Sequence, residues 1–147
     1  MGVCLQAQRS YPCQISAPGE ARQFCREHLG PVVGQQPDGL DLLSTTELVV
    51  TELVTNAVNA ASTGMIAVDL ALHRMCLRIS VQDDACGQPQ VKQPTSTSEH
   101  GRGLFIIERI ALAWGSEPVT GGKQVWVELA VPAHVTAVLD CAFPVRQ

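Results

Sequence analysis

The chain has 147 residues, 46% of them hydrophobic, and a formal net charge of −4. That is the size of one ordinary domain, able to bury roughly two thirds of its unfolded surface without staples. The acidic balance argues against direct nucleic-acid binding, which needs a basic stripe over the phosphates. No apolar run approaches the ~20 residues of a membrane span.

Residues 1–10, MGVCLQAQRS, hold no signal-peptide core and no Ser or Thr at position 6 for a myristoylation motif. They read as a loose leader before a domain spanning 11–132, with a tail over 133–147. Tyr11 to Ser16 is a candidate first strand. Ser16 and Pro18 open a helix, because proline is tolerated in a first turn. Ala21, Phe24, Cys25 and Leu29 give that helix an apolar face, and Gly30-Pro31 is expected to end it. Gly34 to Gly39 reads as a loop.

A long helix follows, starting near Asp41. Leu43, Val49, Val50, Leu53, Val54, Ala57 and Val58 recur at three- and four-residue spacing. Glu52, Asn56 and Asn59 interrupt them at i, i+4 and i+7, so they share one edge of the helix. Taken alone, that edge is either a solvent-facing stripe or a cluster aimed into a cavity. A buried, unpaired polar group costs roughly 1–3 kcal/mol, so the second arrangement needs a ligand or partner.

After residue 64 the period becomes two. Ile66, Val68, Leu70 and Leu72 alternate with polar or small residues, as do Leu77, Ile79 and Val81, and His73-Arg74-Met75 breaks the run into a hairpin. Asp83-Asp84-Ala85-Cys86-Gly87 stands at the end of the second strand. Residues 88–100 are polar and proline-containing and read as a mobile loop. Gly101-Arg102-Gly103 opens another helix, with Leu104, Ile107, Ile110, Ala111 and Trp114 as its expected buried face. Two last strands, near 115–119 and 123–131, turn at Thr120-Gly121-Gly122, with Val125, Val127, Leu129 and Val131 facing inward. The segment beyond Pro132 has no clear pattern.

Helices followed by antiparallel strands predict an α/β (α+β) fold, a two-layer sandwich with helices on one face of a mostly antiparallel sheet. Neither an early GxGxxG turn nor a GxxxxGK[ST] loop occurs, which excludes the Rossmann and Walker phosphate sites. Six cysteines are present without a CxxC pair or a zinc-spaced Cys/His cluster. Their even count allows disulfides, but buried thiols in a reducing cytoplasm are the preferred reading.

The helix segment ELVTNA, the acidic glycine-containing box, GRGL and GGKQVWVEL, at these distances, resemble the GHKL ATPases. These are the family of gyrase, the ninety-kilodalton heat-shock chaperone and the histidine kinases, with a Bergerat-type ATP-binding fold. Within it the chain is most similar to the small bacterial anti-sigma factor serine kinases, from about Ala17 to Val131. The resemblance implies ATP and Mg²⁺ as cofactors. It makes Glu52 the general base and Asn56 the metal-binding amide, with Asn59 beside it. It makes Asp83 the acceptor for the adenine amino group and Gly87 the point where backbone meets the base. Gly101, Arg102, Gly103 and Leu104 correspond to the segment whose amides meet the phosphates. Gln124 stands where the family usually carries a small hydroxyl residue that helps hold the aspartate, and Ala85 where it usually carries glycine. The implied activity is phosphoryl transfer to a serine or threonine of an antagonist protein, with a sigma factor as second partner; a homodimer is compatible with it. The alternative is a non-catalytic binding module of the same fold.

Overall fold

The computed structural model describes residues 2–60, 64–84 and 99–142, with backbone alone for 99–104. Among the described residues nine elements follow one another: β1 (Leu5–Pro12), α1 (Ala17–Val33), α2 (Pro37–Ala60), β2 (Met65–Leu72), β3 (Cys76–Asp83), α3 (Glu99–Ile110), β4 (Ala113–Val119), β5 (Gly122–Ala130) and α4 (Ala133–Ala142). The strands form one sheet in the order β1-β2-β3-β5-β4, with each neighbouring pair antiparallel. The helices pack on one face of it. The expected two-layer sandwich is therefore the architecture found, and its core lies where period-two residues meet period-3.6 residues. Ile66, Val68, Leu70, Ile79, Val81 and Val127 supply the sheet side; Phe24, Leu29, Val49, Val50, Leu53 and Val54 supply the helix side.

Several boundaries differ from the sequence reading. Residues 1–10 are not a loose leader, because Leu5 to Pro12 pair along their whole length with β2. Leu5, Ala7 and Tyr11 alternate toward the core, but Arg9 breaks the apolar signal at the third inward position. Arg9 instead lays its guanidinium over the Phe24 ring at 5.2 Å and pairs with Glu27 at 3.4 Å. The first strand therefore ends at Pro12 rather than starting at Tyr11. Helix α1 runs through Gly30-Pro31 to Val33, since Leu29 and Val33 are both fully buried and Gly34, at φ 77°, turns the chain instead.

Helix α2 begins four residues before Asp41, at Pro37, with proline in its first turn. Its Gly39 lets the two helices close: a Cβ there would lie 2.0 Å from the Val33 carbonyl oxygen. An Arg26–Glu47 ion pair and a 3.1 Å hydrogen bond from Arg22 to Thr51 Oγ1 tie the same two helices. Trp114 does not belong to the α3 face; it lies on β4, and Ala111 follows the helix end. Of that expected face Ile107 is fully buried while Ile110 is 43% exposed. Residues 133–142, unassigned by the sequence, form α4, which seats Val135 and Leu139 in the core and pairs Asp140 with Arg74. No helix among the described residues is long and apolar enough to cross a membrane.

Candidate functional site

Three elements meet at one end of the sheet. Helix α2 brings Leu53, Asn56 and Ala57; the end of β3 brings Val81 and Asp83; the start of β5 brings Lys123 and Val125. Together they line one small cavity. Of the polar residues of this helix edge Asn56 lines the cavity, and Glu52 stands one turn before it on the same edge of an otherwise apolar face. One Glu52 carboxylate oxygen, Oε2, is buried. The Asn56 side-chain nitrogen is also buried and has no hydrogen-bond partner among the described residues. Rotating that amide by half a turn leaves its shape unchanged, so it offers the site either an NH₂ or a carbonyl oxygen. Asn59, one turn further on, is exposed near the end of the helix.

Asp83 is 4% exposed although it closes a strand at the sheet margin. Its position is fixed by Gly122. A Cβ at residue 122 would fall 1.7 Å from the Asp83 carbonyl oxygen, so the two strands come together only with glycine there. Next to it the exposed Asp84 lies against Gly64, whose φ of 95° and missing Cβ leave room for the carboxylate. The site therefore rests on two close backbone approaches at either side of the β3 end.

The sequence placed Gln124 beside Asp83, and the strand pairing corrects this. Gln124 is the register partner of Gln82, and both line the opposite, open face of the sheet. The partner of Asp83 is Lys123, which is 9% exposed and shares its cavity. Parity could have revealed this, because Lys123 continues the inward series Val125, Val127, Leu129, just as Asp83 continues Leu77, Ile79, Val81.

A family model described as histidine kinase-, DNA gyrase B- and HSP90-like ATPase matches residues 43–135. The chain belongs to that family. The match takes in every site residue named from the sequence, and β1 and α1 lie outside it. The chain is also similar to an anti-sigma F factor of Geobacillus kaustophilus (strain HTA426), with 28% identity over 107 residues, covering 65% of this chain and 73% of the relative. An ATP-binding domain is what the family supplies, and the geometry can be read against it.

The residues present fit a nucleotide with its metal. The buried Asn56 amide is a hard oxygen donor of the kind Mg²⁺ takes, and Mg²⁺ keeps other positions for water and phosphate. Asp83 is a buried acceptor of the kind an exocyclic amino group needs. Gly101, Arg102, Gly103 and Leu104 lie inside α3, which begins two residues earlier than the sequence implied. Gly101 thus falls in the first turn, where N–H groups lack intrahelical acceptors, and Gly103 in the turn after it. Ala85, Cys86 and Gly87, and the loop expected over 88–98, lie outside the described residues. A wider cavity of about 450 Å³, lined by Asp38, Asp41, Leu42, Thr45, Ile110 and Leu129 among others, holds none of the site residues.

The described cysteines, Cys4, Cys13, Cys25, Cys76 and Cys141, form no disulfide. Burial pushes the Cys25 thiol up to about 12. Burial, then a hydrogen bond to Glu128, pushes Cys76 up to about 11. Burial raises Cys13 as well, followed by the nearby charges of Asp84 and Asp83. None of the three is poised to act as a thiolate at neutral pH.

Proposed function

We propose that this chain is an anti-sigma regulator that transfers the ATP γ-phosphoryl group to a serine or threonine hydroxyl of an antagonist protein, and that otherwise holds a sigma factor inactive. The observation that carries the reading is the pairing of Glu52 with Asn56 on one helix edge, the amide buried and ready for a ligand in the cavity that contains Asp83. The similarity to an anti-sigma F factor supports the choice of partners.

The division of labour follows from the side chains. Asp83 accepts a hydrogen bond from the adenine amino group and orients the base. The Asn56 amide oxygen, with phosphate oxygens and water, would hold Mg²⁺, which when bound neutralises charge on the phosphates. Glu52 accepts the proton of the attacking hydroxyl as its oxygen bonds to phosphorus and ADP leaves with the bridging oxygen. Amides at the start of α3 receive the phosphate charge.

Two variants test the assignment. Glu52→Gln keeps shape and loses charge, so it should bind Mg-ATP like the parent and lose transfer by a factor on the order of 10²–10⁴. Asn56→Ala should lose the Mg²⁺-dependent part of ATP affinity, and transfer with it. Radiolabelled transfer to a candidate antagonist, beside calorimetry with and without Mg²⁺, reads both. A parent that binds ATP yet labels no antagonist, with sigma capture intact in Glu52→Gln, would leave the second reading, a binding module. That reading draws support from the cavity, whose described walls enclose only about 10 Å³.

A further inference from the structure

We infer that the Lys123 side chain fills the base end of the cavity beside Asp83 and competes with the purine for it, so that this residue sets the nucleotide affinity of the chain. The inference rests on the ATP reading above and concerns a residue that reading does not use.

Four observations converge. First, Lys123 and Asp83 are direct register partners on β5 and β3, and both belong to the inward face. Side chains so placed start from Cβ atoms about 5 Å apart, within reach of each other. Second, Lys123 is 9% exposed, whereas lysine is among the residues least often buried. Third, Lys123 and Asp83 are the two ionisable groups among the described residues that line the cavity; the others are Leu53, Asn56, Ala57, Val81 and Val125. Fourth, the enclosed space is about 10 Å³, roughly one water-sized sphere, while small-molecule sites run to several hundred Å³. The Leu53, Ala57, Val81 and Val125 walls belong to regular elements of the core. Lysine is the lining residue with a long, freely rotating stem and a head that gains hydration by leaving.

Nucleotide entry then has two coupled requirements. The butylammonium chain must swing toward solvent, and the base must take the space it leaves beside Asp83. Both reduce the fraction of molecules competent to bind, and the apparent affinity falls by that fraction. Tripolyphosphate carries no base and does not need the space beside Asp83, so its binding reports the phosphate end of the site apart from this competition.

Calorimetry with two ligands on one variant tests this. Lys123→Thr removes the stem and the charge, and Lys123→Met serves as a second variant that keeps an apolar stem should the first fold poorly by circular dichroism. The expected result is ATP affinity raised about tenfold or more in the folded variant, with binding of inorganic tripolyphosphate unchanged. A fall or no change in ATP affinity would overturn the inference, since Lys123 would then support the bound base or be neutral to it. A parallel loss for ATP and tripolyphosphate would also overturn it, placing Lys123 among the phosphate contacts. Absence of ATP binding in the parent and in both folded variants would instead remove the ATP reading, and this inference with it.

Discussion

Asp83 and Gln124 show how one residue's parity decides a chemical role. Asp83→Asn exchanges an acceptor-only group for a mixed one. ATP affinity should fall by roughly 1.5–3 kcal/mol, the range for a hydrogen bond to a charged group, read by calorimetry. Gln124→Ala faces the open side of the sheet and should leave that affinity as it was. The raised thiols give a second check. With iodoacetamide at pH 8, exposed Cys141 should react first among the described cysteines while Cys25 and Cys76 stay protected; mass mapping of the alkylated peptides reads the order. The folded pKa of Cys25 lies above its unfolded value of 9.0, so the unfolded chain loses this proton first as pH rises. Its contribution to stability is whole below pH 9 and declines from there toward about 12, which denaturant titrations of the parent and Cys25→Ala across that window should show.

At the scale of elements, the sequence carried the long helix, the β2–β3 hairpin and β5 because their apolar residues recur at the spacing of the element, and β4 because a glycine turn precedes β5. It did not carry β1, where Arg9 occupies an inward position and covers Phe24 with its stem and guanidinium. Nor could it carry the end of α1, since Gly30-Pro31 reads locally as a stop and the burial of Val33 is a tertiary fact. Asn56 stands out in the sequence because it is a polar residue on an apolar helix face, whereas Asp83 is singled out only by the family resemblance. Lys123 is passed over because a lysine beside a turn looks like ordinary surface, although it keeps the inward parity of β5. Gly122 makes the sharpest test of how the elements meet at the site. A methyl group there collides with backbone of β3 rather than with a movable side chain. Gly122→Ala should therefore cost about 1–3 kcal/mol of stability, the scale of overpacking, and lower ATP affinity by displacing Asp83. Thermal unfolding and calorimetry on one preparation would reveal whether the two losses travel together.

Across the whole molecule, stability depends on both ends of the chain reaching the same core. Tyr11 near the start and Leu139 near the end are both buried, on either side of the segment that the ATPase family model matches. Phe24→Ala, in α1 and also outside that match, should cost about 3–5 kcal/mol, measured by denaturant unfolding. Deleting residues 1–12 should lower the melting temperature and, by baring β2, promote association that light scattering would detect. The register of β1 also bears on how the chain acquires its shape. Pro12 faces Met65 and Leu5 faces Leu72, so β1 finds its partner only after both α1 and α2 have been made. On the ribosome β1 leaves the tunnel before its partner β2 and waits through the synthesis of two helices. Closing so long a loop is entropically costly and slow, whereas the β2–β3 hairpin closes over three residues. Strand β1, made before its partner, is then among the last of these strands to be locked in place, and the polar Gln6, Gln8 and Ser10 on its outer side keep it soluble while it waits.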